Sequence, residues 1–139
     1  MKPIQCFVIF TLFTSAIAGE KNSNSGEAEQ FVRAITSSNW SWENSAGGRK
    51  SYEDIQFYQG GIADNPKYFT ARWEVTGPRT VTLHNTNRGT PQFGTKALIV
   101  FDAAFTHYIG FDFNGKTTVE GFRREALDPN RPIPEQARR

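Results

Sequence analysis

In YFTARWEVTGPRTVTLHNTN, residues 68–87, apolar and polar side chains alternate almost without interruption. Phe69, Ala71, Trp73 and Val75 point to one side, and Tyr68, Thr70, Arg72, Glu74 and Thr76 to the other, which is the period-two pattern of a half-buried strand. The chain then turns at Gly77-Pro78-Arg79 and resumes as TVTLHN. Residues opposite each other in a hairpin share a face, and a three-residue loop here sets Val75 opposite Val81, Trp73 opposite Leu83 and Arg72 opposite His84. The stretch is therefore an antiparallel hairpin with one apolar wall. The fold follows from what encloses that wall.

The same punctuation runs outward from this hairpin. From Trp40 onward, WSWE, YEDIQFY, TKALIVFD, FTHYIGFDF and TTVEGFRR are separated by Gly47-Gly48, Gly60-Gly61, NRGTPQFG and Asn114-Gly115. Together with the two strands of the opening hairpin, these runs predict seven short strands. The connections are too short for parallel crossovers, so the strands form an antiparallel up-and-down meander. At Asn114-Gly115, a two-residue turn would set Ile109 against Glu120. A three-residue loop of Phe113, Asn114 and Gly115 instead sets Ile109 against Val119 and Asp112 against Lys116, and gives Gly115 the left-handed position that glycine favours. The second register is expected, and it carries His107, Ile109 and Phe111 toward the apolar face.

A flat meander would leave its apolar face wet and its edges open, so the sheet must curl round its own core. A small closed barrel is expected, with a two-sheet sandwich as the alternative. Ahead of it, Ser25 can cap a helix with Glu27 and Glu29 in its first turn, and Ala28, Phe31, Val32 and Ile35 recur at helical spacing. One helix over about 26–37 is predicted, packed across one end or mouth of the barrel. The run Ala97–Phe101 is apolar on both faces, which predicts that the helix covers the outside of that strand. The end, DPNRPIPEQARR, holds three prolines and reads as an extended, disordered tail beyond about Leu127.

The start of the chain carries one lysine, an apolar run from Cys6 to Phe13 and then Ala16-Ile17-Ala18, the small-x-small pattern of a signal-peptidase site. A signal peptide over 1–18, a mobile leader over 19–25, one helix-plus-barrel domain over 26–127 and a Pro-rich tail over 128–139 are expected, in a secreted or periplasmic protein with no membrane span. The single cysteine, Cys6, leaves with the signal. Disulfides, thiolate metal sites and a cysteine nucleophile are thereby excluded from the mature chain. A net charge of +2 without a basic stripe argues against nucleic acid. An aromatic content of 14% favours pleated, half-buried surfaces.

In AITSSNWSWEN, a helical lead, a small polar turn and a tryptophan opening the first strand resemble the start of the calycins, the lipocalins and avidins. Those families usually carry Gly-x-Trp there, where this chain has Ser38-Asn39-Trp40. The arginine that packs on that tryptophan in lipocalins has its counterparts in Arg123 or Arg124. The resemblance implies a lipocalin-like barrel that binds a small apolar or amphipathic ligand in its mouth, usually without catalysis.

The residues with chemical potential each have a structural explanation. His84 falls on the polar face beside Arg72, where the pair could hold an anion or simply be solvated, and His107 is expected at the core rim. Two histidines without metal-ligand spacing do not make a metal site. Asp64 and Asp102 sit where acids begin turns, Asp112 is matched by Lys116, and no serine lies in a nucleophile elbow. Asn39-Trp40-Ser41 fits a glycosylation sequon. The expectation is a monomeric, non-catalytic, mainly β binding module without cofactor or metal. Its ligand would be a small apolar molecule in the barrel, lined by Trp40, Trp73 and Phe111. The alternative is an interaction module with a filled core that docks to a protein or cell-surface polymer through its outer aromatics.

Overall fold

In this chain every strand pairs with the strand before it and the strand after it, and the last returns to the first. The computed structural model describes residues 25–45 and 51–138. The expected signal peptide, nearly all of the leader, Cys6 and Gly47-Gly48 lie outside the described residues. The chain divides into two units, Met1–Val32 and Arg33–Arg139, and the barrel belongs to the second. A helix, α1, spans residues 25–36. It stops where Ser37 turns both its backbone N–H (3.1 Å) and its hydroxyl (2.6 Å) onto the Arg33 carbonyl. The next residue starts the sheet.

Eight strands follow: β1 Ser38–Asn44, β2 Ser51–Tyr58, β3 Ile62–Asn65, β4 Phe69–Gly77, β5 Thr80–Asn85, β6 Lys96–Phe101, β7 His107–Phe111 and β8 Thr118–Ala126. They form a closed antiparallel barrel in chain order, so the barrel and not the sandwich is the architecture. The extra strand relative to the seven expected is β3, whose sequence IADN carries two residues that strands disfavour. It is held between two neighbours, with Phe57 opposite Ala63 and Ala63 opposite Ala71.

The opening hairpin has the expected register, with Trp73 opposite Leu83, Val75 opposite Val81 and Arg72 opposite His84. Arg79 takes a positive φ of 52° in the turn, and β4 bulges between Val75 and Gly77. Val75 lies at that rim and is exposed.

Inward side chains come from alternate positions round the barrel, and the largest of them are aromatic. Phe57 meets Trp73 at 5.9 Å and Phe101 at 6.2 Å between ring centroids. Phe101 meets Trp40 at 4.9 Å and Tyr108 at 5.3 Å. Tyr108 leads to Trp42 at 6.2 Å, and Trp42 to Phe69 at 5.0 Å. Ile55, Val81, Leu83 and Ile99 fill in around this chain of rings and are fully buried. The indole N–H groups of Trp40 and Trp73 are satisfied, Trp40 donating to the Ile35 carbonyl at 3.0 Å and Trp73 to those of Tyr58 and Ile62, both at 3.0 Å.

The seam between β8 and β1 has its own chemistry. Tyr108 stands opposite Gly121 of β8, its ring lies over that glycine, and its hydroxyl donates to the Ser41 carbonyl of β1 at 2.6 Å. Ser41 in turn accepts the Phe122 N–H on its own hydroxyl at 2.8 Å. Complete burial, with Glu43 and Asp112 adding negative charge nearby, holds the Tyr108 phenol well above its ordinary value, so it stays a hydrogen-bond donor.

The segment after β8 is fastened to the barrel, contrary to the expectation of a disordered tail. Arg131 donates to the carbonyls of Thr36 (2.6 Å), Phe57 (3.1 Å) and Asp128 (3.0 Å) and to Gln56 Oε1 (3.1 Å). Its guanidinium lies 4.4 Å from the Tyr58 ring centroid. Ile133 rests on Gly60, where an added Cβ would come within 2.7 Å of its Cδ1. A 3-10 turn, Glu135–Arg138, then buries Ala137. Arg131→Met should lower stability by about 1–3 kcal/mol, the range for losing hydrogen bonds to a charged donor. It should also open residues beyond 127 to limited proteolysis. An unchanged denaturant midpoint and digestion pattern would contradict this anchoring role.

A candidate binding groove on the outer face

The three residues expected to line an interior site do not come together. Trp40 and Trp73 are buried in the core, whereas Phe111 stands on the outside of the barrel. The difference arises in the pairing of β7 with β8. Ile109 faces Glu120, Gly110 faces Val119 and Phe111 faces Thr118, one residue from the expected register. Asp112 donates its N–H to the Thr117 carbonyl at 2.8 Å, and its carboxylate takes its neighbour Phe113 N–H at 2.7 Å, so Lys116 is not its partner. Gly115 does take the left-handed conformation, at φ 68°.

A one-residue slip inverts every side chain of a strand. Tyr108 therefore goes in, and His107, Ile109 and Phe111 go out. Both alternating sets of β7 are apolar enough to be buried, and close backbone approach decides between them. At Gly110 and Gly121 an added Cβ would strike the Leu98 carbonyl and the Tyr108 ring respectively, so the inward set is the one with glycine where space runs out.

The outer face of β6–β8 is consequently apolar. Leu98 stands opposite Phe111, and Val100 opposite Ile109. Their exposures are 43, 49, 39 and 58%. Beside them lies a groove of about 640 Å³, within the size range of small-molecule sites. Its far wall is acidic. Closure of the barrel sets Glu43 of β1 directly opposite Glu120 of β8, and both line the groove. Ser41 donates its hydroxyl to Glu43 at 3.3 Å, and His107 Nε2 lies 3.4 Å from Glu120 while its ring packs on Phe122 at 4.6 Å. No lysine or arginine is among the described lining residues.

Glu43 is absent from the residues that the sequence marks for chemistry. Alternation in WSWE does place it on the opposite face from Trp40 and Trp42, but only closure of β8 onto β1 brings it to Glu120.

Elsewhere the polar groups have structural partners. His84 Nε2 meets Glu74 at 2.8 Å, so the chain's own carboxylate, and not Arg72 with an external anion, is its partner. Asp102 accepts the Thr106 hydroxyl and N–H, both at 2.7 Å, and these bonds hold its carboxyl below the ordinary range. Asn39 is buried, with its Nδ2 donating to Asp54 and Glu125 at 2.8 Å each, so the sequon is closed to a glycan in the folded chain. Among the described residues no three His, Cys, Asp or Glu side chains converge on a metal position.

Asp64 is buried on β3, and desolvation raises its carboxyl above the ordinary value. A raised folded value favours the protonated form, so this group's contribution is best below the unfolded value and is lost as pH rises through the folded one. Asp64→Asn should therefore raise the melting temperature at neutral pH, with the gain closing as pH falls through the acid range. A gain that grows on acidification would reverse the assignment.

No family model, characterised protein or solved structure matches the chain. The calycin resemblance is supported at the level of a closed eight-stranded antiparallel barrel. Within it, Trp40 lies in β1 and Arg123 is directly opposite it on β8, with Arg123 Nε donating to the Ser38 hydroxyl at 2.7 Å. Arg124, the other candidate, pairs instead with Asp54 at 3.0 Å.

Proposed function

We propose that the chain is an exported, non-catalytic binding module that takes a small apolar or amphipathic ligand on the outer face of β6–β8, and not inside its barrel. The observation that carries this reading is the placement of aromatic mass. Trp40, Trp42, Phe57, Phe69, Phe101 and Tyr108 occupy the interior and touch one another, while Leu98, Val100, Ile109 and Phe111 are left outside along a groove. Contiguous exposed apolar surface of this kind is uncommon on a protein that binds nothing. Export rests on the leading lysine, apolar run and Ala16-Ile17-Ala18.

Nile red, a neutral apolar dye, provides the test. It should bind with a fluorescence rise, and Ile109→Ser with Phe111→Ser should weaken that binding at only a modest cost in melting temperature, since both side chains are about half exposed. Unchanged dye binding in the double variant would overturn the outer-face reading.

A further inference from the structure

We infer that the segment after β8 is a clasp whose closure is set by the protonation of Asp64, tight while that carboxyl is neutral and loosened once it is charged. Register decides where Asp64 points. It stands between Gln56 of β2 and Thr70 of β4, while its neighbour Ala63 stands between Phe57 and Ala71 in the core. Alternation therefore turns Asp64 out of the barrel. It is nevertheless only 4% exposed, so its cover comes from outside the sheet. The 3-10 turn Glu135–Arg138 packs on β3 and buries Ala137. A carboxylate in such a place needs donors, and among the described residues none reaches it. On β2, Gln56 accepts from Tyr58 and Arg131, and Asp54 is held by Arg124 at 3.0 Å. On β4, the Thr70 hydroxyl is bonded to that of Thr86 at 3.3 Å, and Arg72 makes no ion pair with Asp64. In the clasp, Arg131 gives its donors to Gln56 and to the carbonyls of Thr36, Phe57 and Asp128, Arg138 makes no ion pair with Asp64, and Asp128 and Glu135 carry the same sign as a charged Asp64. Tyr58, 4.4 Å beneath the Arg131 guanidinium, is raised chiefly by its own burial, and the Asp64 charge adds to that. Desolvation accordingly holds the Asp64 carboxyl above its ordinary value. Opening the clasp returns it to water, where the charged form is favoured. Closure is fully supported below the ordinary value and loses support as pH rises through the raised one. Opening lifts Ile133 from Gly60 and Arg131 from Tyr58, and so bares the outer side of β2 and β3, away in strand order from the groove on β6–β8.

A neutral gadolinium chelate added to protein with labelled Ile and Ala methyl groups reads the clasp directly. Relaxation of the Ile133 and Ala137 methyls should rise several-fold between the acid range and neutral pH, with a midpoint matching that of the Asp64 carboxyl carbon. Ile55 and Ile99, fully buried in the barrel, should stay low throughout. Asp64→Asn is neutral at every pH, so it should keep Ile133 and Ala137 protected across the whole range. Arg131→Met should expose both at every pH and supplies the reference for the open clasp. Relaxation at Ile133 and Ala137 that does not change with pH, or a native response that survives Asp64→Asn, would overturn the inference. So would a rise shared by Ile55 and Ile99, because the barrel and not the clasp would then be opening. Should Asp64→Asn fail to fold, the native titration decides alone: an Ile133 midpoint that departs from that of the Asp64 carboxyl carbon would remove Asp64 as the controlling group.

Discussion

Gly121→Ala should cost at least about 3 kcal/mol, above the usual range for a surface substitution and at the upper end for overpacking. The cause is local and rigid. A Cβ at position 121 would collide at once with the Tyr108 ring and with the Ser41 carbonyl, and the second of these is backbone that cannot rotate away. Relief would require Tyr108 to leave the seam, which breaks its 2.6 Å hydrogen bond to Ser41 and exposes a ring packed against Trp40, Trp42 and Phe101. The barrel closes on this contact, so the substitution should also broaden amide signals along β1 and β8 before those of β4 and β5. A denaturant midpoint within about 1 kcal/mol of the native value would show that the seam is looser than described.

Trp40→Ala should cost about 3–5 kcal/mol, the range for truncating a large buried aromatic. Trp40 has no exposed surface, meets Phe101 edge to face, and ties α1 to β1 through its indole N–H on the Ile35 carbonyl. Trp40→Phe separates the two contributions. It keeps much of the packing but leaves the Ile35 carbonyl without its donor, so it should fall between the native chain and the alanine variant. If thermal melts placed Trp40→Ala within about 1 kcal/mol of native, Trp40 would have to be an exposed residue.

How much of this was legible in the sequence varies by element. The β4–β5 hairpin can be read outright, because Phe69, Ala71 and Trp73 alternate with Thr70, Arg72 and Glu74 and leave one consistent register. Closure into a barrel follows from an apolar wall that needs a cover. In β7 the same logic has no purchase, since Tyr108 on one side and Ile109 with Phe111 on the other both qualify for burial. The inward set is chosen by where backbones press together at Gly110 and Gly121, a tertiary fact with no local trace beyond the glycines themselves. The candidate groove shares that origin: its apolar wall appears only once β7 is turned the right way, and its acidic wall only once the two ends of the sheet meet. Arg131 is a third case, because an arginine in a Pro-rich stretch reads as solvated surface until four acceptors are found around it.

Solvent accessibility of individual methyl groups tests the central claim, a filled barrel whose binding surface is outside. With a soluble paramagnetic agent added to methyl-labelled protein, relaxation should rise steeply for Leu98, Val100 and Ile109 and stay low for Ile55, Leu83 and Ile99. Protection of Ile109 together with strong relaxation of Ile55 or Leu83 would mean that β7 faces the other way and that solvent reaches an open interior, and the outer groove would then have to be given up.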